Sequence, residues 1–213
     1  MKTLFTLAAI AAINLVTAQK TENLKEFKSL VISGDVDVTL IKSSENKAVI
    51  KNGEEELQIQ NEKGALAING DGSVVVYYTA AIENISAGPD TELIGNDEIS
   101  TKEFNLAAAA DSKVKLVLNV KNLNVAAAAD SQVKIEGKAD VMVAAVASDA
   151  QYDVKELKAN NVEIVLASDA QASITAKGTV DATVASDGSL TIYGNPKKVN
   201  EVKSDDAQIV VVK

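Results

Sequence analysis

Ala126-Ala-Ala-Ala-Asp130-Ser131-Gln132-Val133-Lys134-Ile135, Val146-Ala-Ser-Asp149-Ala-Gln151-Tyr152-Asp153-Val154 and Leu166-Ala-Ser-Asp169-Ala-Gln171-Ala172-Ser173-Ile174 are three versions of one phrase. Further versions surround Asp111, Asp187 and Asp206, so that six aspartates recur at intervals of 19, 19, 20, 18 and 19 residues. A weaker copy, Gly88-Pro89-Asp90, lies 21 residues before Asp111. A fixed period in this range is the mark of a solenoid, in which each repeat buries its apolar side only against its neighbours.

Within each repeat, apolar residues follow the aspartate by three and five positions: Val114 and Leu116, Val133 and Ile135, Tyr152 and Val154, Ala172 and Ile174, Leu190 and Ile192, Ile209 and Val211. A spacing of two is the strand period. Small or β-branched residues stand two and four before the aspartate, as at Ala126 and Ala128, Ala145 and Ala147, or Val165 and Ala167. A third apolar mark falls at Leu123, Val141, Val162, Val180 and Val199. Three marks in about 19 residues predict a coil of three short strands, one rung of an all-β parallel β-helix, with rungs roughly 4.8 Å apart.

Other readings fail on the residues. Four alanines favour helix locally, but they make about one turn and become Val-Ala-Ala-Val-Ala or Val-Glu-Ile-Val-Leu-Ala in sister repeats. A leucine-rich repeat needs LxxLxLxxN, which is absent.

Outside the repeats, Lys2, the apolar run Leu4 to Leu15 and the small residues of Val16-Thr17-Ala18 have the three-part pattern of a signal peptide over residues 1–18. The expected product is secreted, to the periplasm or the cell surface, and starts at Gln19. Residues 19–80 are less regular. Ser33 to Leu40 alternates as a strand; Ala48 to Ile50 and Leu57 to Ile59 are strand-like around Asn52-Gly53. Gly64 to Ile68 and Val74 to Tyr78 flank Asn69-Gly70-Asp71-Gly72, which predicts a tight turn. This part is expected to cap the solenoid with longer rungs or hairpins, since an uncovered edge invites association. Residues 81–213 form the regular rungs of the same domain. The last rung, Asp206 to Val212, has no polar cap after it, so a homo-oligomer through its exposed edge is an expectation.

Composition narrows function. Every basic residue is lysine, and the mature chain carries 20 of them against 30 acidic residues, a formal charge of −10. Such a surface repels nucleic acid and anionic lipid, and without arginine the bidentate grip on phosphate is missing. With no histidine and no cysteine, the usual zinc sites, Ser-His-Asp triads and Cys-His pairs are unavailable. No Gly-rich phosphate loop is present, and no cofactor is implied. The sharpest candidate site is the aspartate column Asp90, Asp111, Asp130, Asp149, Asp169, Asp187 and Asp206. Stacked carboxylates could be bridged by Ca²⁺ through oxygen ligands, with Asp130, Asp149, Asp169 and Asp187 as mid-column candidates. The plainer reading gives each Asp a turn-forming role, and no metal is expected.

Three segments, FKSLVISGDVDVTL at Phe27 to Leu40, GALAI at Gly64 to Ile68, and the AxxDS-type coils from Asp90 onward, resemble the head GIN domain family of auto-transporter adhesins, common among secreted proteins of Bacteroidetes. The resemblance spans essentially the whole mature chain. It implies a right-handed β-helix at the cell envelope and no catalytic residues. The resulting expectation is a non-catalytic, adhesin-like module with a glycan, a protein or a neighbouring copy as partner. The alternative is a carbohydrate-active β-helix enzyme of lyase or hydrolase type, a class the fold permits. Against it stand the absence of arginine for uronates and of tryptophan for sugar stacking, with only Tyr77, Tyr78, Tyr152 and Tyr193 left.

Overall fold

The computed structural model describes residues 20–53 and 55–212; the expected signal peptide and Gln19 lie outside them. In chain order the strands are β1 (Thr21–Asn23), β2 (Ser29–Lys42), β3 (Lys47–Asn52), β4 (Gln58–Glu62), β5 (Ala65–Tyr78) and β6 (Asn84–Ala87). Four long strands follow, β7 (Glu92–Ala108), β8 (Lys113–Ala127), β9 (Gln132–Ala147) and β10 (Gln151–Ala167). The chain then runs through β11 (Gln171–Ala176), β12 (Thr179–Val184), β13 (Ser189–Tyr193), β14 (Lys198–Lys203) and β15 (Gln208–Val211). All belong to one sheet wound into a parallel β-solenoid, as the period predicts. No helix among the described residues is long and apolar enough to cross a membrane.

Residues one period apart stack directly. Leu93, Val114, Val133, Tyr152, Ala172, Leu190 and Ile209 pair in sequence down one column. The three faces can be read from β10. Tyr152 and Val154, then Leu157 and Ala159, then Val162, Ile164 and Leu166 point inward, and the pairs Lys155-Glu156 and Asn160-Asn161 point outward between them. Two consecutive outward residues turn each corner, and at Asn160-Asn161 the register with β9 is kept. Coil length is adjusted at the first corner, where the ladder shifts between Gly95 and Glu98 and again between Asp153 and Leu157.

Several expectations need correction. A middle coil is one bent strand rather than three short ones, because the chain stays paired on both sides of its two corners; separate strands appear in the coil of β5 and β6 and again after Asp169. The strand entering the aspartate turn points inward three and five residues before it, as at Ala127 and Val125 or Val146 and Ala144, and Ala126 and Ala145 face outward. The third mark is Met142, fully buried between Leu123 and Val162; Val141 lies outside, 38% exposed. Asn69 to Gly72 is no turn but the bent middle of β5, paired residue by residue with Ser33 to Val36 of β2. Glycine is required there by close approach: a Cβ on Gly70 would sit 2.1 Å from the Glu56 carbonyl oxygen.

Coil order also departs from chain order at the start. β2 lies between β5 and the pair β6 and β7, so the chain winds outward to β5 and then steps back past β2. The outer edge of β5 is covered by antiparallel β3 and β4, and β1 covers β3. The opposite end shows β14 and β15. Their inward positions include half-buried Val199 and Ile209, but Glu201 stands beneath Ala182 and Lys203 beneath Val184. Inward-pointing charges on an edge strand oppose further pairing, so the last coil carries a polar guard on β14 that the expectation of an uncapped edge overlooked.

Candidate functional site

The aspartate corner is a stack of identical two-residue turns. Ala110-Asp111, Ala129-Asp130, Ser148-Asp149, Ser168-Asp169 and Ser186-Asp187 all have positive φ, between 48° and 65°, the mirror-image type I′ geometry. Each closes with an i+3 amide donating to the i carbonyl, from Ser112 to Ala109 at 3.3 Å through Gly188 to Ala185 at 3.2 Å. Adjacent turns are also tied together: the Asp111 amide donates to the Ala129 carbonyl at 2.9 Å, Asp130 to Ser148 at 3.0 Å, Asp149 to Ser168 at 2.9 Å and Asp169 to Ser186 at 2.9 Å. The ends of the column vary the theme. Pro89 precedes a left-handed Asp90 (φ 56°), the type II pattern, and the Thr91 hydroxyl donates to the Gly88 carbonyl at 2.8 Å. At the other end Asp206 accepts a hydrogen bond from the Ser204 hydroxyl, which holds its carboxyl below the usual range.

Two members of this column escape sequence reading. Asp37 pairs with Glu92, which places Asp35 level with Asp90, and Asp35 pairs with Asp71. Both obey the rule of apolar residues three and five positions later, Val38 and Leu40 or Val74 and Val76. Asp35, 36 residues before Asp71, is hidden because coil order and chain order diverge; Asp71 keeps the regular 19-residue interval to Asp90 but sits in the Asn69-Gly70-Asp71-Gly72 stretch that reads as a tight turn. The carboxylates of all nine lie at the surface, one per coil in single file. Calcium takes six to eight oxygen ligands from several directions; among the described residues no three or more Asp or Glu converge to hold an ion. Behind the column runs an inward row, Thr91, Ser112, Ser131, Ala150, Ala170, Gly188 and Ala207, all buried. The hydroxyls of Ser112 and Ser131 have no hydrogen-bond partner.

On one side of this corner the outward positions are polar. Lys113, Gln132, Gln151, Gln171, Ser189 and Gln208 form one row, and Lys115, Lys134, Asp153, Ser173 and Thr191 the next. The first members of both rows, as far as Gln151 and Asp153, line a shallow groove of about 310 Å³ that begins at Glu92. On the other side the rows are nearly uncharged. Val31, Ser86, Ala107, Ala126, Ala145, Val165, Thr183 and Val202 stack in one column. Beside it runs Asn84, Asn105, Asn124, Val143, Glu163, Asp181 and Asn200. The Asn105 amide donates to Asn84 and that of Asn124 to Asn105, each at 2.9 Å.

Aromatic and acid–base chemistry is correspondingly sparse. Tyr152 is buried with its hydroxyl on Met142 Sδ at 3.2 Å, and burial pushes its pKa up. Burial, with Asp97 nearby, pushes Tyr78 up to about 12. Lys47 sits 5.1 Å above the Tyr77 ring. Of the four tyrosines, two therefore serve the core and one carries a lysine, which leaves no row of aromatic platforms for sugar rings.

The fold and surface define a parallel β-solenoid with one acidic corner and two unlike flanking faces. The family described as "Putative auto-transporter adhesin, head GIN domain" matches residues 26–196, and the chain belongs to it. Membership points to a surface or secreted protein with an adhesin-like, non-catalytic role. No curated protein matches. Among solved structures, the chain is similar to a protein of Bacteroides fragilis NCTC 9343 described as a "putative adhesin", with a TM-score of 0.83 and 18% identity over 91% of this chain and 96% of that one. A second, from Parabacteroides merdae ATCC 43184, gives a TM-score of 0.76 and 15% identity over 92% and 96%. A third, described as a "Putative lipid binding protein" of Parabacteroides distasonis ATCC 8503, gives 0.69 and 15% over 92% and 96%. At these identities the likeness is one of fold.

Proposed function

We propose that the protein is exported by a signal peptide cleaved after Ala18 and acts at the cell envelope or surface as a non-catalytic binding module for a glycan or protein. The observation that carries this reading is the polar face beside the aspartate corner. Its rows of glutamine, lysine, serine and threonine run across successive coils and offer repeated donors and acceptors about 4.8 Å apart. A long, shallow surface of that kind suits an extended ligand better than a small substrate, which needs a concave pocket. The aspartates on this reading shape turns, and Asp130, Asp149, Asp169 and Asp187 hold no calcium.

The test is binding of the labelled mature protein to envelope fractions and intact cells. Saturable binding that falls several-fold in Gln132→Ala/Gln151→Ala supports the assignment. Release of sugar products from acidic polysaccharides would replace it with the carbohydrate-active reading. A melting temperature unchanged between calcium and chelator is expected for the turn role, and a rise with calcium would reassign the column as an ion site.

A further inference from the structure

We infer that the uncharged face pairs with the same face of a second copy, forming an isologous dimer of solenoids packed side by side. The face comprises outward positions six, four and two residues before each aspartate turn. From Asn84 to Ser204 these positions hold no lysine, and their only charges are Glu163 and Asp181, in a chain of 21 lysines and 30 acidic residues. Four of its side chains are large, apolar and exposed: Val31 at 41%, Val143 at 39%, Val165 at 45% and Val202 at 67%. Alanine is the commonest residue of the remainder and asparagine the next, and part of the face lines an open groove of about 500 Å³.

Area and chemistry select the occupant. Eight stacked coils about 4.8 Å apart, by roughly six residues of strand at about 3.3 Å each, give a face of about 650 Å². A stable interface uses about 800 Å² per partner, so the face is of nearly the right size. It has no aromatic side chain for a sugar, no cation for an anionic ligand, and no lysine for an anionic lipid surface. Two copies of a strongly acidic protein meet with least repulsion where each has almost no charge. Sheets faced with small residues can also pack closely in the aligned manner of β-sandwiches.

A two-fold axis along the strand direction, between the Ala126 and Ala145 coils, reverses the coil order while preserving the columns. Glu163 of one copy then faces Asn105 of the other, and Asp181 faces Asn84, so carboxylates meet amides whose second N–H lies outside the ladder. The like charges are held apart. The rival self-association, end to end through β15, would bring Glu201 and Lys203 into the junction.

Sedimentation equilibrium of the mature protein at high micromolar concentration decides the matter. The expected mass is that of two chains, falling to one in Ala126→Lys/Ala145→Lys. Both sites point to solvent in the single chain, so the circular dichroism spectrum and the melting of the monomer should be retained. Val210→Lys on the β15 edge should leave the dimer intact. A monomeric wild type, a dimer that survives both face lysines, or a dimer lost through Val210→Lys would each overturn the proposal.

Discussion

Ala129 and Asp130 divide the work of one turn unequally. Both are left-handed, a conformation that asparagine and aspartate tolerate through local hydrogen bonds and that costs an alanine about 1–2 kcal/mol. Ala129→Gly removes that strain but gives the unfolded chain about 0.4–1 kcal/mol of extra entropy. A net gain of about 0.5 kcal/mol is expected, read as a higher denaturant midpoint. Asp130→Ala should lose about 1 kcal/mol, because it puts a second alanine in the same strained region. One position further, Ser131 Oγ is buried without a partner, whereas the equivalent residues in later coils are Ala150 and Ala170. Removing an unpaired buried hydroxyl is neutral to stabilising, so Ser131→Ala should hold or raise the midpoint. A loss above about 1 kcal/mol would mean that the hydroxyl is satisfied after all. Gly137 admits no such latitude. Its φ is 117°, and a Cβ would lie 2.0 Å from the Leu118 carbonyl oxygen, so Gly137→Ala should cost at least about 2–3 kcal/mol.

At the scale of a strand, what matters is which residues point inward. Met142 is fully buried and Val141 is its outward neighbour, so Met142→Ala should cost about 2–5 kcal/mol and Val141→Ala no more than about 0.5 kcal/mol. Equal costs at the two positions would contradict the register of β9. The sequence could not settle this parity because Val141, Met142 and Val143 are all apolar, and Ala107 to Ala110 or Ala126 to Ala129 give no contrast between sides. Where polar and apolar residues alternate, as in Lys113 to Leu116 or Gln132 to Ile135, both the strand and its inward side were legible. The turns were legible for another reason: aspartate marks them, and nothing else in the coil recurs so strictly. Asp35 was missed because the chain leaves and re-enters the stack out of order, and Asp71, although 19 residues before Asp90, because it lies within the stretch read as a turn. Asn69 to Gly72 was misread because glycine permits a corner under close packing as readily as a hairpin turn. The uncharged face, the feature that distinguishes this surface most, emerges only once the columns are known to align.

For the whole molecule the period dictates energetics as well as shape. Each coil pairs only with the coils above and below it, so stability is close to a sum of coil and junction terms, and with no cysteine in the chain no disulfide spreads a local loss. The two ends are finished differently. β5 is shielded by β3, β4 and β1, whereas β15 pairs only with β13 and β14 only with β12, and Val210 and Val211 are 49% and 40% exposed. Opening one coil from that second end exposes the least buried surface and breaks one ladder. Local opening selects such segments. Native-state hydrogen exchange should therefore show protection lowest in β15 and β14, rising through β13 and β12, and highest in β8 and β9, whose inward residues are buried on every face. The gradient is the informative outcome, since a single cooperative unit would give the same opening free energy in β15 as in β8. Uniform protection would show that the junctions are strong enough to bind all coils together, and the additive picture would have to be abandoned. A gradient running the other way, from β3 and β4 inward, would locate the weak end at the antiparallel hairpins instead and would make β14, with Glu201 and Lys203 at its inward positions, the better seal.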